Sequence, residues 1–226
     1  MQKRTGGEIY IGVVGPVRTG KSTFIKRFMD VAVLPYMEDA AQKTRAQDEL
    51  PQSAGGRTIT TTEPKFIPQE AVELKLAGEV TIRVRLVDCV GFMVEGAAGH
   101  LEDGAERLVK TPWYDHEIPF TQAAELGTRK VITDHSTIGV VVTTDGSFSD
   151  LPQETYLDAE NQAISELKKL HKPFLVLVNS SHPSSRTARE AAERIEKQHS
   201  VAAMPDSCAP LSEAVSYTHL RAHETS

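Results

Sequence analysis

Apolar residues fall along this chain in short runs separated by polar stretches, and the period of each run predicts an element. Ile9, Tyr10, Ile11, Val13 and Val14 form a compact run that reads as a buried strand over residues 8–15. Phe24, Ile25, Phe28 and Met29 then recur at helical spacing and predict a helix over 21–31. Val72, Leu74 and Leu76 alternate with polar residues, Gly78 turns the chain, and Val80, Ile82, Val84 and Leu86 alternate again. Thr81, Arg83 and Arg85 fall on the opposite face, so these are two adjacent antiparallel strands, the second running into Asp88. Residues 138–143 and 174–179 are continuous β-branched and aliphatic runs, the mark of strands covered on both faces. Residues 121–135, 154–170 and 187–199 have helical composition. Leu157, Ile164, Leu167 and Leu170 are the expected inward stripe of the second of these, and Ala188, Ala191, Ala192 and Ile195 that of the third. A final strand is placed at 201–204. The stretches 35–62 and 91–120 read as long irregular connections, which in a compact domain are functional or disordered. The alternation predicts an α/β fold: a mainly parallel sheet with one antiparallel strand and helices on both faces.

Composition narrows the function classes. The 226 residues suffice for one α/β domain with a substantial core. A net charge of −6 argues against a general nucleic-acid or lipid-headgroup surface. Cys89 and Cys208 have no metal-ligand spacing and give no disulfide framework, which suits a reducing cytoplasm. No apolar run is long enough to span a bilayer, and the first residues lack the apolar core of a signal peptide. Residues 215–226 show no clear periodicity and read as a non-native tail. The folded domain is therefore expected over 1–214, with the chain stopping short of the natural protein's end.

The candidate chemistry begins after the first strand. Gly15-Pro16-Val17-Arg18-Thr19-Gly20-Lys21-Ser22 fits the phosphate-loop pattern G-x-x-x-x-G-K-[ST], and it lies between a strand and a helix as that motif requires. Backbone N–H groups of such a loop and of the helix N-terminus point at phosphates, Lys21 adds a full positive charge, and Ser22 offers a hydroxyl to Mg²⁺. Asp88-Cys89-Val90-Gly91 is a D-x-x-G pattern at a strand end. There Asp88 would hold Mg²⁺ through water, and the Gly91 N–H would face the γ-phosphate. Between the first helix and the hairpin lies Thr58-Ile59-Thr60-Thr61-Thr62, where switch nucleotide hydrolases place a threonine that orders with the triphosphate. Thr61 and Thr62 are favoured, although the sequence does not choose among the four threonines.

Two absences are also informative. Switch GTPases read guanine with Asn-Lys-x-Asp, whereas here the corresponding strand ends Asn179-Ser180-Ser181-His182. Asn179 persists and the discriminating carboxylate does not, so ATP is the expected nucleotide rather than GTP. Phe92 stands where many switch GTPases have the glutamine that orients the attacking water, so that role must come from elsewhere. Arg18 would add positive charge at the phosphates, be exposed, or pair with an acidic switch residue. Trp113 is expected to anchor the segment after Asp88. His116, His135, His171 and His199 share no spacing and read as surface or cap residues.

The blocks Gly15 to Thr23 with Phe24-Ile25-Lys26, Arg45-Ala46-Gln47-Asp48-Glu49-Leu50-Pro51-Gln52-Ser53 and Thr61-Thr62-Glu63-Pro64-Lys65-Phe66 closely resemble the stage IV sporulation protein A family. So do Arg85-Leu86-Val87-Asp88-Cys89-Val90-Gly91, Thr111-Pro112-Trp113-Tyr114, Gly127-Thr128-Arg129-Lys130-Val131-Ile132, and 135–146. The resemblance covers roughly residues 4–200. It implies a P-loop NTPase of the switch-GTPase (TRAFAC-like) lineage that hydrolyses ATP with Mg²⁺ in the mother-cell cytoplasm of endospore formers. It further implies that hydrolysis drives self-assembly into the basement layer of the spore coat on the outer forespore surface. The implied partners are the amphipathic peptide stage V sporulation protein M and other coat proteins. The implied catalytic set is Lys21, Thr61, Thr62 and Asp88, with Ser22, Asp88 and Thr61 on the metal. The implied nucleotide contacts are Gly15, Pro16, Val17, Arg18, Thr19, Gly20, Lys21, Ser22, Thr23, Gly91 and Asn179. A regulatory GTPase with a divergent base pocket, or a nucleotide-binding module without turnover, are the alternatives.

Overall fold

The computed structural model describes residues 8–51, 62–75, 81–97, 101–102 and 105–208. Expectations for Leu76 to Val80 at the hairpin turn, for Thr58 to Thr61, and for the 215–226 tail lie outside the described residues. Six strands form one sheet in the order β10-β9-β8-β1-β3-β2. They are β1 (Glu8–Val14), β2 (Lys65–Lys75), β3 (Thr81–Asp88), β8 (Ile138–Thr144), β9 (Phe174–Asn179) and β10 (Ala203–Asp206). β1 pairs in parallel with β3 and β8, β8 with β9, and β9 with β10, while β2 runs antiparallel to β3. Every residue of β8 is buried, as its unbroken apolar run predicts.

Side chains alternate between two cores. On one face, Ile11, Val13, Val84, Leu86, Val140 and Val142 meet Phe24, Ile25, Phe28 and Met29 of helix α1 (Lys21–Phe28) and its π-helical extension Met29–Val33. Ala46 of α2 (Ala40–Asp48) joins the same cluster. On the other face, Val14, Val87, Val141, Val176 and Val178 meet Val131 and Ile132, which follow α3 (Phe120–Lys130). Ile164 and Leu167 of α4 (Leu157–Lys169) and Ile195 of α5 (Arg186–His199) complete that cluster. The parallel strands all end toward the same side, so the loops after β1, β3, β8 and β9 converge there.

Several local expectations change. The 35–62 stretch holds helix α2, started by Asp39, whose carboxylate accepts from the N–H groups of Ala41 and Gln42 at 2.8 and 3.1 Å. The 91–120 stretch contains the two-residue strands β4 (Leu101–Glu102) and β5 (Ala105–Glu106), and the hairpin of β6 (Leu108–Thr111) with β7 (Tyr114–Pro119). β2 begins at Lys65 rather than 72, with an irregularity between Ile67 and Val72. β10 lies two residues beyond its expected place. In α4 the buried positions are Ala159, Glu160, Ala163, Ile164 and Leu167, while Leu157 is half-buried and Leu170 is exposed.

Candidate functional site

The phosphate loop runs from β1 into α1 and is held by main-chain bonds from the next strand end. The Val17 N–H donates to Phe92 O at 2.8 Å, and the Phe92 N–H donates to Gly15 O at 3.0 Å. The Phe92 ring is fully buried in the core, so its side chain fastens the loop and is closed off from any attacking water. The Thr19 hydroxyl, also fully buried, lies 2.7 Å from Val142 O and 3.0 Å from Pro16 O. This hydroxyl ties the loop to β8 and so fixes its curvature. Val17 is buried, whereas Arg18 is exposed and takes a left-handed φ of 61° at the loop's crest.

Lys21 opens α1 and is only 5% exposed. Its ammonium donates to Pro16 O at 2.5 Å, inside the curve of the loop. Desolvation holds its pKa below the ordinary lysine value, opposed by the neighbouring Cys89 and Asp88 groups. Ser22 is next along the helix, and its hydroxyl donates to Asp88 Oδ2 at 2.8 Å. The Asp88 carboxyl is pushed above the usual carboxylate range by burial, against the Ser22 hydrogen bond and the Lys21 charge. A hydroxyl and a carboxylate that lacks full compensation are a hard-oxygen pair, and that donor set fits Mg²⁺. Ser22 and Asp88 would hold such an ion, with phosphate oxygens and water completing its shell. Among the described residues no cluster of three or more His, Cys, Asp or Glu offers a competing metal centre.

Gly91 follows Asp88 with φ +105°. A Cβ there would sit 2.4 Å from Gly15 O and 2.5 Å from the Lys21 ammonium, so no side chain fits between the two loops. The Gly91 N–H donates to Thr128 Oγ1 of α3 at 3.1 Å. Thr62 is buried, and its carbonyl lies against Gly127 of the same helix, where a Cβ would come within 2.4 Å of it. Thr61 lies outside the described residues.

At the ends of β8 and β9 the polar groups bond mainly to one another. Asn179 Nδ2 donates to Thr19 O at 2.9 Å, and its Oδ1 accepts from the Cys208 N–H at 2.9 Å. Asn179 thus braces the phosphate loop from the neighbouring strand. The Ser180 hydroxyl donates to Asp145 Oδ2 at 2.7 Å and accepts from the His182 N–H at 2.9 Å. Asp145 Oδ1 accepts from the Ser147 N–H at 3.0 Å. Burial raises the thiol pKa of Cys89 to about 11 and that of Cys208 further, so both stay protonated.

The structure therefore brings Gly15 to Ser22, Asp88, Gly91 and Asn179 together at the carboxyl ends of the parallel strands. It adds Gly127, Thr128 and Asp145, which the sequence reading did not place in the site, and it makes Ser180, read there only as a departure from Asn-Lys-x-Asp, the partner of Asp145. The first two fall in the Gly127–Ile132 block that carried the family resemblance, and a poor helix-forming pair, glycine then threonine, inside a helix was a second signal. Trp113, expected as an anchor, is half-buried with its ring against Gly127.

Comparison with known proteins decides what this site belongs to. The family described as stage IV sporulation protein A, ATPase domain, matches residues 1–222. The chain belongs to the stage IV sporulation protein A family. It is 53% identical over 191 residues to stage IV sporulation protein A of Bacillus subtilis (strain 168), covering 83% of this chain and 39% of that protein. The Bacillus anthracis relative is 48% identical over 219 residues, covering 97% of this chain and 44% of its own length. The Clostridioides difficile (strain 630) relative is 51% identical over 205 residues, covering 91% and 42%. The chain thus spans less than half the length of these relatives and corresponds to their ATPase domain. As a P-loop α/β fold with an ATPase-domain match it is an ATP hydrolase domain of a sporulation protein. Among the described residues no helix is long and apolar enough to cross a membrane.

Proposed function

We propose that this domain binds Mg-ATP in the curve of the phosphate loop and hydrolyses it to ADP and phosphate through positioning and charge neutralisation. The observation that carries the reading is the meeting of Lys21, Ser22, Asp88 and Gly91 at the carboxyl ends of the parallel strands, with Ser22 and Asp88 already in contact. N–H groups of the loop from Arg18 onward and of the start of α1, which opens at Lys21, face the phosphates, with Thr23 in its first turn. The Lys21 ammonium exchanges the Pro16 carbonyl for phosphate oxygens. Ser22, Asp88 and Thr61 would hold Mg²⁺, which would supply neutralisation of the charge on the leaving phosphates. Thr61 and Thr62 sense the γ-phosphate. Asn179 acts through the loop, and His182 in the place of the aspartate of Asn-Lys-x-Asp favours ATP.

Hydrolysis by the whole protein switches a conformer that assembles with copies of itself into the basement layer of the spore coat. Assembly takes place in the mother-cell cytoplasm at the outer forespore surface, recruited by stage V sporulation protein M. The buried Phe92 ring favours one second reading, a nucleotide-binding module that needs a neighbouring subunit for turnover. Single-turnover hydrolysis of ATP and GTP with Mg²⁺, in the unaltered chain and in Asp88→Ala, tests both. ATP turnover at roughly 10⁻⁴ to 10⁻² per second, lost in the variant and weak with GTP, is expected. GTP preference would overturn the nucleotide assignment, and tight ATP binding without turnover would favour the second reading. Joint replacement of Thr61 and Thr62 by alanine should preserve ATP binding and block the chemistry.

A further inference from the structure

The Gly91 N–H, the group the proposed function directs at the γ-phosphate, is already donated to the Thr128 hydroxyl in this structure. Thr128 is fully buried, and its own proton goes to Ala124 O at 2.8 Å, one helical turn back. That second bond fixes which way the hydroxyl lone pairs point. Thr128 is therefore a positioned acceptor, held by α3 and aimed at Gly91. One residue earlier, Gly127 takes the Thr62 carbonyl against its Cα. Two consecutive residues of one helix thus touch both segments expected to sense the γ-phosphate.

A backbone N–H carries one proton, so Gly91 cannot give a full hydrogen bond to Thr128 and to a phosphate oxygen at once. We propose that Thr128 is a positioning residue that holds the Gly91 N–H until a γ-phosphate takes it. In the diphosphate and empty states α3 is bonded to the Asp88–Gly91 turn. In the triphosphate state that bond is given up. The inference rests on the nucleotide reading above and adds how triphosphate is told from diphosphate. Thr128 stabilises the states without γ-phosphate and so sets the ratio of ATP to ADP affinity.

The test compares the affinities of ADP and a non-hydrolysable ATP analogue in the unaltered chain, Thr128→Val and Thr128→Ser. Valine keeps the shape and removes the acceptor, leaving the Gly91 N–H unpaired until a γ-phosphate arrives. The preference for the ATP analogue over ADP should then rise about 5-fold, the equivalent of one ordinary buried hydrogen bond. Serine restores the acceptor and should return the ratio to within about twofold of the unaltered chain. An unchanged ratio in Thr128→Val with ADP binding intact, or the same change in Thr128→Ser, would overturn the inference and leave the nucleotide reading standing. Failure of the unaltered chain to bind either nucleotide would overturn both. The Gly91 amide resonance of the unaltered chain needs no variant: it should move with the ATP analogue and hold still with ADP, and equal movement with both would refute the exchange.

Discussion

The two halves of the sheet handle buried polarity in opposite ways. At β1 and β3, Lys21 and Asp88 are enclosed by protein, and desolvation pushes each pKa toward the neutral form. Lys21 bonds the Pro16 carbonyl, Asp88 accepts from the Ser22 hydroxyl and the Cys89 N–H, and the attraction between the two charges only partly offsets their desolvation. At β8 and behind it, Glu160 of α4 is 1% exposed, yet it accepts from the Thr143 hydroxyl at 2.7 Å and lies 2.8 Å from the Arg194 guanidinium of α5. Asp145 is likewise served by Ser147 and Ser180. The back half meets its buried carboxylates with protein groups, Glu160 Oε1 and Arg194 standing at ion-pair distance without hydrogen-bond geometry. The front half is electrically closed only when something brings phosphate and a cation. Binding and stability should therefore separate by region under mutation.

The largest expected effect is at the front. Lys21→Ala removes a cation that would otherwise make charge-assisted bonds to phosphate, worth about 2 to 3 kcal/mol. Nucleotide affinity should fall roughly 100-fold by calorimetry. Thermal stability should hold or rise, because a desolvated charge has been removed from the folded chain. A large loss of stability in this variant would break the comparison, since it would make Lys21 part of the scaffold.

The difference between halves also explains what could be read in advance. The strands β1, β3, β8 and β9 were legible because continuous or alternating apolar runs have few other solutions, and the phosphate loop because its spacing is set by phosphate geometry. Helix α2 escaped because only Ala46 among its nine residues is buried, so it has no apolar stripe; Asp39 as a cap was its one signal. The hairpin of β6 and β7 escaped because its faces are mostly exposed, leaving Val109 to Thr111 and Ile118 too short a pattern. Within the site, Lys21, Ser22, Asp88 and Gly91 follow from local motifs. Thr128, Asp145 and Ser180 meet their partners across 35 to 37 positions of sequence, and no local pattern carries such pairings.

An effect of similar size, on stability rather than on binding, is expected at the back. Arg194→Met leaves the Glu160 carboxylate buried with only the Thr143 hydroxyl as partner. Losing one member of a buried pair costs about 3 to 5 kcal/mol, and the 31% exposure of Arg194 places this case nearer 2 to 3. Denaturant unfolding should report that loss while ATP affinity stays within about twofold of the unaltered chain, in the folded range of conditions. Glu160→Gln, which removes the charge but keeps an acceptor for Thr143, should cost less. An equal fall in ATP affinity in Arg194→Met would mean that the back half transmits strain to the loop and that the two regions are one unit.

The smallest expected effect concerns pH. His199, at the end of α5, is half-buried with its Nε2 2.8 Å from Asn161 Oδ1. Desolvation lowers its pKa below 6.5, with Lys168 and Arg194 adding to the shift and Glu160 opposing it. The unfolded chain therefore takes up a proton near pH 6.5 while the folded chain does not. Between that pH and the lower folded value the unfolded state binds more protons, so stability falls as pH drops through the window. Below the folded value both states are protonated and the loss is complete. Chemical unfolding from pH 7.5 to 5 should show this slope in the unaltered chain and a flatter profile in His199→Gln. Nucleotide affinity should follow the same pH dependence in both proteins, because among the described residues the groups facing His199 are Asn161, Glu160, Lys168 and Arg194, none of them in the phosphate site. A pH dependence of ATP binding that disappears with His199 would erase the boundary between the two halves at its weakest point.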